Sequence, residues 1–322
     1  MKIRIITRLL CAALLITGAA HAAASESCDR HCLEGFVDRY LDAMQAHQVS
    51  EELFARETKF TENGIRLPLG HEGLWFDMSG RGTYRFYVPD VETQQVAFIG
   101  TLREGGSNTS DGTLVAFALR LKIAGSHITE VEQLAIRPET PLGGAAANAP
   151  PPRFPPAGEA VEKLGQPNPV FAEVIPEAKR PSREEMIKTA NYYFAGLQRN
   201  DGKGYYPFTD DCARIENGMK TTNIPPNNYS CKRQFEVGLK NIVSRIRDRR
   251  FVAVDRERGI VFAFGFFDHE RINWTWQLAE LFKVQNGQIR RIEAVFHRAP
   301  YGINSGWSTY EQGMSEEPQS IR

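Results

Sequence analysis

No glycine-rich phosphate loop, dinucleotide fingerprint or Gly-x-Ser-x-Gly elbow occurs in the 322 residues. Their absence argues against nucleotide cofactors and against standard nucleophilic hydrolases, which need those turns to present backbone amides or a serine. An excess of either charge is also missing, with 39 basic residues against 39 acidic ones. Such a chain has no general affinity for nucleic acid or an anionic membrane surface. Long apolar runs are missing beyond the first 22 residues. There, Lys2, Arg4 and Arg8 precede an apolar core from Leu9 to Ala20, and Ala20-His21-Ala22 offers a small-residue cleavage site. That run is too short to span a bilayer, so it reads as a cleaved secretory signal, and the mature protein as periplasmic or extracellular. Cleavage removes three cations and no acids, leaving 36 basic against 39 acidic residues.

Cysteine is scarce. Cys11 lies in the signal core, and no small residue directly precedes it, so a lipid-anchored form is not expected. Cys28, Cys32, Cys212 and Cys231 remain. An even number in an oxidising compartment implies two disulfides. Three pairings are open, and the local one, Cys28 with Cys32 and Cys212 with Cys231, is the simplest. The spacings contain no paired CxxC and no histidine at finger spacing, so a zinc site is not expected.

What is present is periodicity. Residues 28–47 carry Leu33, Phe36, Val37, Tyr40, Leu41 and Met44 on one helical face. Short alternating segments follow to about residue 137. Eleven of the 18 prolines then fall between Pro138 and Pro181, the composition of an extended linker able to drape over both flanking domains. A second helix begins at Ser182, where Glu185 completes a capping box. Strands resume near residue 212, and 245–298 reads as four consecutive strands of a curved antiparallel sheet. The Arg245, Arg247, Arg249 and Arg250 patch reads as the solvated side of that sheet.

The halves repeat. Tyr40-Leu41-Asp42-Ala43-Met44-Gln45 corresponds to Tyr193-Phe194-Ala195-Gly196-Leu197-Gln198, and Glu62-Asn63-Gly64 to Glu216-Asn217-Gly218. Leu121-Lys122-Ile123 with Ile128 and Glu132 corresponds to Phe282-Lys283-Val284 with Ile289 and Glu293. A repeat of this length is a duplicated domain. The divisions are a signal at 1–22, a first domain at 28–137, a linker at 138–181, a second domain at 182–305 and a tail at 306–322.

A long helix followed by a curved sheet that ends in Lys283-Val284-x-x-Gly287-x-Ile289-x-x-Ile292-Glu293 resembles the nuclear-transport-factor-2-like (SnoaL-like) superfamily. Phe60-Thr61-Glu62-Asn63-Gly64, Arg214-Ile215-Glu216-Asn217-Gly218, Phe267-Asp268-His269, Pro300-Tyr301-Gly302 and Gly306-Trp307 look like a secreted tandem subgroup of it. The resemblance implies an α+β fold of two tandem cone-shaped barrels, each a curved antiparallel sheet closed by N-terminal helices around an apolar cavity. Superfamily members often dimerise through the convex side of the sheet, so a monomer with an internal pseudo-dimer is expected. Catalytic residues vary among its members, so none carries over by position.

Residues both halves share are expected to be architectural; those found in one half are better site candidates. The expected catalytic pair is Asp268, at the end of a face carrying Phe262, Phe264 and Phe266, and His297, an imidazole at the end of the last strand. A carboxyl on an apolar wall and an imidazole suit proton transfer. The plainer alternatives are a strand-end aspartate and an edge or core histidine. Trp274, Trp276, Phe264, Phe266 and Glu293 are expected to line the pocket, and Tyr301, with Trp307, to close it from the tail. His269 is the second-choice histidine, pointing to the opposite face by parity. No metal and no cofactor is expected. The reading is an exported lyase, dehydratase or isomerase for a small apolar or aromatic hydroxy or carbonyl compound; alternatives are a non-catalytic periplasmic binding protein for a hydrophobic small molecule and a pseudo-dimer scaffold.

Overall fold

The computed structural model describes residues 27–139, 155–238 and 243–322; the expected signal and the middle of the expected linker lie outside them. Helix α1 (Arg30–Gln45) buries the six apolar residues of its stripe. It is followed by β1 (Phe54–Glu62), β2 (Ile65–Arg66), the short α2 (Leu74–Asp77), β3 (Met78–Asp90), β4 (Gln95–Glu104), β5 (Thr113–Ala124) and β6 (His127–Ile136). The linker holds α3 (Ala157–Glu162). The same order returns in α4 (Arg183–Arg199), β7 (Phe208–Glu216), β8 (Met219–Lys220), α5 (Cys231–Arg233), β9 (Arg245–Asp255), β10 (Ile260–His269), β11 (Trp274–Gln285) and β12 (Gln288–Pro300). The tail ends in α6 (Tyr310–Met314) and β13 (Gln319–Ser320). Both halves of the Ser182–Glu185 capping box form. Cys28 pairs with Cys32 and Cys212 with Cys231. No described helix is long and apolar enough to cross a membrane.

The sheets are mixed, not purely antiparallel. Their orders are β2-β1-β6-β5-β4-β3 and β13-β9-β10-β11-β12-β7-β8, and β1 lies parallel to β6 as β7 does to β12. The other strands of the same half intervene within each of these two pairs, supplying the long crossover that parallel pairing needs. Neither sheet closes into a barrel among the described residues. Each has two ends, and its helix covers one face.

The opposite faces pack on each other. Phe86, Val88, Ile99, Ala118 and Leu134 of the first sheet meet Val252, Phe262, Phe264, Leu281 and Val295 of the second, with Val170 and Phe171 of the linker added. Val174 stays exposed. The polar contacts across this seam are reciprocal. Arg30, opening α1, donates to Asp255 at the end of β9 (2.6 and 2.8 Å). Arg183, opening α4, donates to Asp90 at the end of β3, which also accepts from Val254 N (2.9 Å). Each aspartate caps its own turn, from Thr93 N and from Arg258 N. The repeated glutamates also cross: Glu132 takes both Arg250 Nη atoms (2.6 and 2.7 Å), and Glu293 accepts from the Tyr84 hydroxyl (2.6 Å). The arginine patch is therefore no solvated face. Arg247, Arg249 and Arg250 are all buried: Arg247 reaches Asp268 and tail carbonyls, Arg250 reaches Glu132 across the seam, and Arg249 turns to Asn191 and Gln198 of α4.

Two predictions follow the burial at the seam. Asp90 and Arg183 are both almost fully buried, whereas Arg30 is partly open to water. Arg183→Ala strands a buried carboxylate and should cost about 3–5 kcal/mol; Arg30→Ala should cost clearly less in urea unfolding, and equal losses would contradict the ranking. Burial pushes the Glu293 carboxyl up to about 7, and the Tyr84 hydrogen bond only partly opposes it. The folded chain then holds a proton that the unfolded chain has released, so stability falls as pH rises from about 4.5 to 7, by up to about 3 kcal/mol. Glu293→Gln should raise the melting temperature at pH 8 and change it little at pH 4.5; superimposable pH profiles would refute the assignment.

Candidate functional site

Four residues, 270–273, join β10 to β11, so His269 pairs with Trp274, Phe267 with Trp276 and Asp268 with Thr275. That register decides which side chains share a face, because a strand alternates its faces residue by residue. Phe267, His269, Trp274 and Trp276 stand on the helix-covered side. Phe262, Phe264, Phe266 and Asp268 stand on the seam side, opposite Leu281, Ala279, Gln277 and Thr275.

The expected pocket therefore divides. Phe264 packs in the inter-sheet core, and Phe266 lies under Arg247, 4.6 Å from the ring centre. Asp268 accepts from Arg245 (2.8 Å), Arg247 (2.9 Å) and the Thr275 hydroxyl (2.9 Å). Arg247 goes on to the Ile303 and Gly313 carbonyls. Asp268 is thus the anchor of an arginine that clamps the tail. His297 faces Gln277, whose amide, oriented with its nitrogen toward His297 Nε2 (3.0 Å), also reaches Asn63 O (3.1 Å) and Gly64 N (3.2 Å) of the first half. Asp268 and His297 share a face but have β11 between them, about 10 Å at ordinary strand spacing, so the structure does not bring them together. Glu293 belongs to the seam. Trp307 closes no second-half pocket either: its indole donates to Thr61 (2.8 Å) and is flanked by Lys59 and Arg120, both of the first half. Tyr301, half-buried, lies on the tail near Arg245.

The two tryptophans lie together, 5.2 Å between ring centroids, with His269 as their partner. Trp274 and Trp276 form a wall at the ends of β10–β12. On one side an open cleft of about 690 Å³ is lined with them by Val243, Ser244, His269, Glu270, Arg271 and Ile272. On the other, a depression of about 580 Å³ adds Arg137, Phe296, His297 and Arg298. The His269 ring stacks on Trp274 (4.2 Å between centroids, 11° between planes) and meets Trp276 edge-on at 4.5 Å. Arg298 sits over Trp274 at 5.2 Å.

His269 Nδ1 lies 3.0 Å from the Phe267 carbonyl, which can only accept, so Nδ1 carries the proton and Nε2 keeps its lone pair. Nε2 is buried and has no partner. Burial holds the imidazole below its ordinary pKa, against the weaker opposing pull of the Phe267 carbonyl and Asp268. The arrangement is a neutral base fixed by stacking beside an aromatic cleft. Alternation puts His269 on the face opposite Asp268 but ranks it second among the histidines; the length of the turn, counted together with the flanking tryptophans, is the signal that pairs it with Trp274. Among the described residues no group of three His, Cys, Asp or Glu side chains is placed to hold a metal ion.

The shared Glu-Asn-Gly turns are architectural by geometry. Asn63 brackets Ala135 through its side-chain oxygen and nitrogen (2.8 and 3.1 Å), and Asn217 brackets Phe296 in the same way (2.9 and 3.0 Å).

A family model described as a domain of unknown function, DUF8021, matches residues 179–296. No curated protein matches the chain. Among solved structures, the chain is similar to an NTF-2 like protein of unknown function from Burkholderia xenovorans LB400 (14% identity, 39% of this chain and 94% of that one, TM-score 0.27). It is also similar to an LEH-like epoxide hydrolase from M. tuberculosis (15% identity, 36% and 86%, TM-score 0.25) and to a de novo designed protein with a curved β-sheet (19% identity, 36% and 88%, TM-score 0.27).

Proposed function

We propose that the second half is the working copy: it binds a small, flat, largely apolar molecule against Trp274 and Trp276 and moves a proton on it through His269 Nε2. The reaction class is a lyase, dehydratase or isomerase step by acid–base chemistry on a hydroxy or carbonyl compound. The carrying observation is the stacked His269, which lines the cleft and keeps a buried Nε2 without a partner. Asp268 and His297 have no part in this chemistry, since arginines hold the first and the seam holds the second.

The rest of the reading follows the architecture. Each half is taken as an NTF2-like cone, supported by the repeated element order. The chain is taken as an exported monomer in which one half does for the other what a dimer partner would do, supported by the N-terminal composition, the two disulfides and the mutually buried sheet faces. A second reading, binding without turnover, draws on the openness of the cleft, which leaves a bound molecule in contact with water.

Tryptophan-fluorescence titration with small aromatic ketones, paired with NMR detection of hydrogen–deuterium exchange at the carbon next to the carbonyl, tests both readings. Trp274→Ala should weaken binding about tenfold, near 1.4 kcal/mol. His269→Gln should leave binding within about threefold and abolish exchange. Exchange in the wild type should be flat above pH 6.5 and fall only at lower pH, because the basic form of His269 persists below its ordinary pKa. Binding without exchange would leave the second reading. Unchanged binding in Trp274→Ala would remove both.

A further inference from the structure

Strand register matches the interiors of the two halves position by position. Leu119 on β5 pairs with Gln133, as Glu280 on β11 pairs with Ala294; Phe60 on β1 and Arg214 on β7 occupy one further equivalent place. Tyr40 and Tyr193 descend from the covering helices. In the first half this interior is apolar and its polar groups are paired. The Tyr40 hydroxyl donates to Gln133 (2.6 Å) and accepts from Trp75 (2.9 Å), and Gln133 donates to Glu62 (2.7 Å).

The second half replaces Phe by Arg214, Leu by Glu280 and Gln by Ala294, exchanging a filled core for charged side chains beside a shortened one. Arg214 and Glu280 are only 3% and 1% exposed. Thr221 (3.0 Å), Gln234 (2.6 Å) and Glu216 (2.9 Å) engage the Nε and Nη2 atoms of Arg214, while its Nη1 has no partner. Glu280 Oε2 has none either. The Tyr193 hydroxyl lies beside both groups. Burial, reinforced by Glu216 and opposed by Arg214 and the Tyr193 hydroxyl, holds the Glu280 carboxyl well above its ordinary range, which favours its protonated, donating form. Leaving such groups unpaired in a core costs free energy, and a native fold tolerates it where something else completes the pairing.

We propose that Arg214, Glu280 and Tyr193 form a recognition site for an uncharged oxygen atom at the inner end of the second-half ligand. Two donors converge there, Arg214 Nη1 and the Glu280 acid, and a hydroxyl or carbonyl oxygen accepts from both. A carboxylate or phenolate is disfavoured, because Glu216 already balances Arg214 and a further anion would be buried uncompensated. Four residues of β11 separate Trp276 from Glu280, about 13 Å. The half-buried Trp276 and Phe296, and the buried Leu278 that pairs with Phe296, stand between cleft and site. The ligand class is an elongated, two- to three-ring molecule whose far end carries an oxygen separate from the group that faces His269. This inference rests on the cleft as the entrance.

The test compares 2-naphthol, 2-methylnaphthalene and 2-naphthoate by fluorescence titration of the full chain. The wild type should favour 2-naphthol over 2-methylnaphthalene at least tenfold and 2-naphthoate least. Glu280→Leu, the first-half residue, should erase the preference without weakening 2-methylnaphthalene, and Glu280→Gln, which keeps a donor, should retain it. Should Glu280→Leu fail to fold, Ala294→Gln, again the first-half residue, should erase the preference by filling the space and engaging Tyr193. Equal binding of 2-naphthol and 2-methylnaphthalene by the wild type would mean that only an internal water serves the two donors, and would overturn the proposal. Retention of the preference in a folded Glu280→Leu or Ala294→Gln chain would overturn it too. Binding of none of the three would sink the cleft reading itself, and this inference with it.

Discussion

The mutual burial of two sheet faces, locked by a reciprocal exchange of arginines, is the constraint on which the other features depend. Arg30 and Arg183 stand at equivalent places at the start of α1 and α4, and Asp255 and Asp90 at equivalent places at the ends of β9 and β3. Each helix, packed on its own sheet, is thus also tied at its first residue to the other half's sheet. Lys122 and Lys283 repeat the symmetry, donating to the Thr93 and Arg258 carbonyls at matching turns. Apolar area supplies most of the attraction at such a seam, but a non-directional force does not set an angle. Charge-assisted bonds do, since they are strong only in one geometry.

That burial also explains what was legible in the sequence. The helices and the local disulfide pairing could be read, because each rests on short-range signals: a stripe, a capping box, an even cysteine count. The facing of β10 could not. In Ile260–His269 every residue is buried, so the alternation that normally marks a core face is erased, as in any strand covered on both sides. Aromatic content then looks the same whether a face lines a cleft or a seam. The remaining information lay in the four-residue turn, which pairs odd positions of β10 with even ones of β11. A turn one residue longer would have put Asp268 among the tryptophans.

The reasoning that shared residues are structural and unshared ones are candidates survives in part. Asn63 and Asn217 hold identical brackets. Glu132 and Glu293 both cross the seam, though to unlike partners, Arg250 and Tyr84. Difference between halves was a weaker guide. His297 and Asp268 are peculiar to the second half, yet they serve the seam and the tail. The tail exists on one side only, so its partners necessarily break the repeat without having any chemistry to perform.

Differences inside the covered faces carry more weight than differences at the seam. A seam residue changes freely when its partner changes, as the Arg250 and Tyr84 contacts illustrate. An interior residue has no such freedom, because its neighbours are the helix and sheet of its own half. Placing Arg214 and Glu280 where Phe60 and Leu119 would pack gives up apolar burial on both side chains, roughly 1.5–3 kcal/mol each, and leaves two polar atoms unpaired. The first half shows that the same framework stands with the apolar pair. Stability therefore does not account for the charged one, and the second interior is where a demand other than folding has acted.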